Sequence, residues 1–334
     1  MFTKLLDRIK PFKATSELIR SGESLGGFVW RASGVHQLYA GLIAVGVALF
    51  QFIPIDIQRR IVDGAIGSKD VSALLFLGGL YLGSILVQSG LKYVLQFYQA
   101  WVGESAVKIS RDQLAGVAAE RPKETAASAG QTVNVVGREI DNVGGFVGTS
   151  ISEFVINMTL LITVASYMVY MEPVIAAVAA VFLVPQIFLA IFMQRELNTL
   201  VEKQVGLVRE LGSDIVENPK GGSPTIFAIF VNRIRFNALK FGLKALLNIA
   251  NAIGPLMVLL VGGYLVIHGQ TTIGTVVAFV SGFERLSSPL RDLLDFYRQY
   301  QQARVQHDMI VEWAEGSAVK PAVRKRAKAA AAKV

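Results

Sequence analysis

The chain has no cysteine among its 334 residues. Disulfides, Cys-ligated zinc, iron–sulfur clusters and thiol nucleophiles are therefore excluded. Charge is also scarce, at 17% of residues, where soluble domains carry nearer a quarter. Histidine occurs only at positions 36, 268 and 307, too dispersed for a metal site. No G-x-x-x-x-G-K-[ST] phosphate loop is present, and the glycine pair at Gly221 lacks the lysine that reaches phosphate. The first thirty residues show scattered charge and no compact apolar run before a small-residue cleavage site, so no cleavable leader is expected.

What the chain has instead is long charge-free runs. A bilayer core of about 30 Å takes about 20 residues of helix. Gln37–Ile55, Val71–Leu91, Phe154–Met171 and Val174–Gln194 each lack a charged residue. The run Ala245–Phe283 is about two spans long, and the turn-compatible His268–Thr272 divides it. These runs predict an all-α membrane protein with six transmembrane helices. Pro54, Pro185 and Pro255 fall in or near spans, where proline is tolerated better than in soluble helices.

The net charge of +8 suits a membrane protein whose cytoplasmic ends collect Lys and Arg, and no nucleic-acid motif accompanies it. The links after the second and fourth spans are long, charged and helix-compatible. Their basic content places them and both termini in the cytoplasm. Arg59, Arg60 and Lys69 in the first outer link run against this, but Asp56, Asp63 and Asp70 accompany them. Apolar residues such as Val107, Leu114 and Val117, then Val133, Val136 and Ile140, continue the helical period into the long links. Helices two to five should thus extend past the membrane, turning near Ala126–Gly130 and Asn218–Gly222. Residues 1–34 read as a cytoplasmic segment with an interfacial helix, 35–315 as the six-helix domain, and 316–334 as a basic, disordered tail within reach of anionic lipid.

Several segments match a known family. Gln58–Asp70 resembles the end of the first helix and outer turn of ABC exporter transmembrane domains. Gly130–Val143 is similar to the stretch after their first coupling helix, with Val135 where the family often has arginine. Asp214–Gly222 resembles the second coupling region, followed by an unusual Ser223-Pro224. Thr272–Val305, with Gly274, Phe279 and Pro289, looks like the sixth helix. The resemblance runs over about residues 35–315. It implies a pair of such domains, homo- or heterodimeric, in the bacterial inner membrane. It also implies an ABC ATPase partner that supplies ATP and Mg, and no catalysis by this chain. By the same resemblance Ala126, Ala127, Ser128, Gly130, Asp214, Glu217 and Gly221 would meet that ATPase.

Polar residues within or beside the spans are candidates for the pathway. Glu153 either contacts a cationic cargo or Lys92, or is solvated on the cytoplasmic extension. Asn157, Asn248 and Asn251 either line a polar cavity or bond between helices. Gly144, Gly145 and Gly148 fit close helix packing. Three functions remain open: permease subunit of an ATP-driven exporter, orphan membrane scaffold without pump activity, and ion-driven transporter. The third would want acidic residues deep in several spans, and there are almost none.

Overall fold

The computed structural model describes residues 10–12, 23–119, 135–217 and 224–314. Among these there is no strand. Six long helices follow one another: α1 Leu25–Arg60, α2 Val71–Ala119, α3 Ile140–Met171, α4 Pro173–Glu217, α5 Pro224–Ile267 and α6 Ile273–Ala314. Short π-helical turns, Ile61–Ile66 and Val135–Glu139, follow α1 and precede α3.

Local chemistry sets the ends. Ser24 caps α1 through its hydroxyl, which accepts from the Gly27 N–H at 3.3 Å. Asp70 caps α2, accepting from Ser72 and Ala73 N–H at 2.9 and 3.1 Å. Pro173 and Pro224 open α4 and α5, where a missing N–H costs nothing. The expected divide at His268–Thr272 is present. Gly269, at φ 69°, ends α5: its N–H donates to Val266 O, the Gln270 N–H donates to Leu265 O, and the Thr272 hydroxyl caps α6. Gly34, at φ 34° and ψ −107°, kinks α1 in a conformation open to glycine.

At 1.5 Å per residue the 49 residues of α2 measure about 74 Å, over twice a bilayer core. Residues 102–119 and 140–152 continue α2 and α3 and form no separate domain. The expected extensions of α2 to α5 are therefore present. Five helices, α1 to α5, contain a stretch long and apolar enough to cross a membrane. The sixth differs from expectation by that measure, because the charge-free part of α6 stops at Phe283 and Glu284-Arg285 follow at once.

The chain divides into two compact units. The first comprises residues 1–50, 86–159 and 295–334; the second comprises 51–85 and 160–294. In the first, Phe28, Val102, Val107, Leu114, Val143, Val147 and Ile310 form the core. Val135 joins it at 3% exposure, so an apolar residue suits that position. Lys10–Phe12 lies against α2: the Trp101 Nε1 donates to Lys10 O at 3.0 Å, and Phe12 stands edge-on to Trp101.

Small residues let the extensions of α2 and α3 approach closely. A Cβ on Gly103 would come within 2.9 Å of Gly144 O, and one on Gly148 within 2.3 Å of Gln99 O. Two buried carboxamides tighten the same unit. Gln37 donates to Ser33 Oγ and Val147 O at 2.7 and 2.6 Å, and Gln99 donates to Ser152 Oγ at 2.8 Å.

In the second unit α4 and α5 pack side by side. Asn232 crosses between them, donating to Leu200 O and Gln204 Oε1 at 2.9 and 3.0 Å. The three aspartates of the first outer link have three different roles. Asp56 takes up Arg59, Arg60 and the Tyr167 hydroxyl. Asp63 holds the start of α6, accepting from Thr272 Oγ1 and Gly274 N at 2.7 Å each. Asp70 caps α2. Apolar residues left exposed in the charge-free runs, such as Leu75, Phe76, Phe188 and Phe192, are what a lipid-facing surface needs.

Candidate functional site

Ala126, Ala127, Ser128, Gly130 and Gly221 lie outside the described residues, as does the turn expected near Asn218–Gly222. Asp214 and Glu217 belong to the last turns of α4, but their side chains are also outside the described set.

Of the four polar pathway candidates, Glu153 and Asn157 belong to the first unit and Asn248 and Asn251 to the second. Glu153 is half-buried on α3 and accepts from Gln99 Nε2 at 3.4 Å, which ties it to α2. Asn157, one turn on, is 6% exposed, and its Nδ2 donates to Glu153 O at 2.9 Å, within its own helix. Asn248 is exposed on α5. Asn251 lines a cavity with Gln186 of α4 and Ser287 and Arg291 of α6. There Ser287 Oγ donates to Asn251 Oδ1 at 3.2 Å, an interhelical bond. The cavity holds about 30 Å³, enough for a water molecule and far below the size of a drug-like ligand.

A larger concavity of about 390 Å³ lies between α3 and α6 in the first unit. Gln299, Gln302 and Gln306 come from α6 at i, i+3 and i+7, one helical face. Asp141, Asn142 and Thr149 come from α3. Phe146 and Ala303 form the apolar floor. Phe146 is fixed in turn by Phe296, stacked at 5.9 Å, and by Tyr300. The Asp141 carboxylate is neutralised by Arg111 Nη2 at 2.6 Å, so the groove is polar but nearly uncharged.

Gly145 explains why the groove is open. Gly144 and Gly148 meet α2, but a Cβ on Gly145 would meet nothing within 4 Å. Of the three glycines expected to pack helices, then, two do so and the third leaves space. The groove itself went unread in the sequence. Its signal was the Gln299, Gln302, Gln306 spacing, the first two of which fall within the motif likeness of Thr272–Val305.

Next to Gln306 on α6 is His307, 1% exposed, against Phe28 of α1 at 5.1 Å. Neither ring nitrogen has a hydrogen-bond partner. Burial pushes its pKa below the ordinary 6.5. Asp308 pulls the other way, and Arg31, ion-paired with Glu23, adds to the lowering.

Comparison with known proteins accounts for the architecture. A family model described as the ABC transporter transmembrane region matches residues 38–221. Among the curated relatives are multidrug export ATP-binding/permease proteins, so named, from Staphylococcus aureus strains bovine RF122 / ET3-1, NCTC 8325 / PS 47 and Mu50 / ATCC 700699. Each is 24% identical to this chain, over 75% of the chain and 47% of its own length. The chain spans about half the length of the curated relatives it matches.

Proposed function

The chain belongs to the ABC transporter transmembrane region family, and from that premise we propose that it is the permease subunit of an ATP-driven exporter. It provides half of a translocation pathway and pairs with a second transmembrane domain. Nucleotide-binding domains on a partner chain, with ATP and Mg²⁺, supply the energy. The relatives' names join ATP binding to permease. Both termini and the two long links lie on the cytoplasmic side of the bacterial inner membrane, by their basic content.

One observation carries this reading. α2, α4 and α5 run on well past a bilayer's depth toward residues 120–134 and 218–223, where the family resemblance puts the ATPase contacts. An unbroken helix is the simplest way to carry displacement from a docking surface into a bilayer. Replacing both Glu217 and Gly221 with bulky residues should then uncouple a reconstituted partner ATPase from transport and leave the melting temperature unchanged. Full transport by a folded double variant would remove the assignment.

A second reading, a membrane scaffold without pump activity, rests on Val135 and on Ser223-Pro224. Both have ordinary structural explanations, since Val135 is a core residue and Pro224 is the first residue of α5. Co-purification separates the two: a copurifying ABC ATPase favours the permease, and its absence favours the scaffold.

A further inference from the structure

We propose that the groove between α3 and α6 is a loading site for an uncharged, amide-bearing cargo, a peptide-like molecule. The proposal rests on the permease reading for the word cargo. Its chemistry rests on the groove alone.

The volume of about 390 Å³ falls within the range of small-molecule sites. Four of the polar side chains that line it, Asn142, Gln299, Gln302 and Gln306, are carboxamides. Each offers N–H donors and a carbonyl acceptor, so a row of them can donate to a peptide C=O at one position and accept from a peptide N–H at another. A cationic ligand would find little to neutralise it, because Asp141 is already paired with Arg111. An anionic ligand would meet no free cation among the lining residues.

Gln306 adds an independent observation. Its Oε1 is buried with no hydrogen-bond partner, a costly state for an amide oxygen. Rotation toward the groove would let it accept from a ligand N–H, so ligand binding would relieve the deficit. The floor of Phe146, braced by Phe296 and Tyr300, offers a flat apolar surface to the ligand's carbon face. The groove flanks the polar side of the charge-free run of α3, which begins at Phe154, so it opens outside the hydrocarbon region.

Gly145 gives a clean test. With no atom within 4 Å of its would-be Cβ, Gly145→Leu fills the groove without touching α2, and leucine is the better helix former. The full chain in lipid nanodiscs is titrated with tritiated N-acetyl-trialanine amide, without ATP. Binding to the parent chain, weakened at least about tenfold in Gly145→Leu, is the expected result. No binding to the parent, or equal binding to a folded Gly145→Leu, overturns the proposal.

Gln302→Glu serves as the second variant and does not depend on the first being folded. Its exposed side chain gains a negative charge. Preference should move from the neutral probe to N-acetyl-Ala-Lys-Ala amide; an unchanged preference overturns the proposal. Neither substitution lies in residues 120–134 or 218–223 and neither assay needs an ATPase. Failure here therefore leaves the permease reading standing, and failed coupling with intact binding strikes that reading alone.

Discussion

The two compact units differ in which polar groups tie their helices together. The first, containing the N-terminal part of α1 and the beginning of α3, buries neutral groups: Gln37, Gln99, Ser33, Ser152 and His307. The second gathers charge. Asp56 is shared by Arg59, Arg60 and Tyr167, Asp63 clamps the start of α6, and Arg285 Nη1 donates to Gln51 O at 2.8 Å. That last bond is adjacent to Pro54, which lacks an N–H and disturbs the carbonyls one turn before it. The carbonyl that Pro54 leaves without its helical donor is that of Phe50, next to Gln51, so this stretch of α1 is one where a guanidinium from α6 can meet backbone oxygen. Neutral amides fix helix spacing with little sensitivity to salt, whereas charged groups fix it strongly but respond to ionic strength and to loss of one partner.

The comparison can be broken most severely at Gly148. Gly148→Leu drives a Cβ to within 2.3 Å of the Gln99 carbonyl, backbone against backbone, which side-chain rotation cannot relieve. A loss of about 3 kcal/mol or more is expected, read as failure to give a monodisperse, cooperatively melting protein. Asp63→Ala is the counterpart in the charged unit. It strips the start of α6 of two acceptor bonds, and about 1–3 kcal/mol should be lost. Faster hydrogen exchange confined to the first turns of α6 would show it, and unchanged exchange there would refute the clamp.

His307→Leu sharpens the neutral side. The imidazole's folded pKa is lowered by burial, so the unfolded chain takes up a proton first as pH falls through about 6.5. Stability from the neutral ring is complete above that value and declines below it. The parent chain should melt at a lower temperature at pH 5.5 than at pH 8, and His307→Leu should lessen the difference. An identical pH dependence in both proteins would show that His307 does not contribute. The smallest effect belongs to Gly145→Leu, whose melting temperature should match or slightly exceed the parent's, in contrast to its neighbour at 148.

Hydropathy made most of the fold legible. Charge-free runs placed α1 to α5, and the turn chemistry of Gly269 and Thr272 placed the join between α5 and α6. Glycine spacing marked the α2–α3 contact. It could not say which of three neighbouring glycines faces a helix and which faces open space, because 100° per residue sorts faces only once the partner's direction is known. The sequence left Asn251 open between lining a cavity and bonding between helices, and it bonds Ser287 of α6; Asn157 turned inward to its own backbone, a choice that depends on a rotamer rather than on composition. The groove was missed because both of its walls are needed to see it, and they are more than a hundred residues apart in sequence.

Prolines 54, 185, 255 and 289 lie within α1, α4, α5 and α6, while α2 and α3 contain none. Mechanically, that makes α2 a lever. Its residues 92–119 form an arm about 42 Å long, and its charge-free residues 71–91 an arm of about 30 Å on the other side of Lys92. A sideways push of about 5 Å at Ala119 corresponds to a tilt of about 7°. It would carry Val71 about 4 Å in the opposite direction if the fulcrum sits at Lys92. Most of the stroke delivered at one end is thus returned at the other, a mechanical advantage near unity, with no proline along the arm to dissipate it.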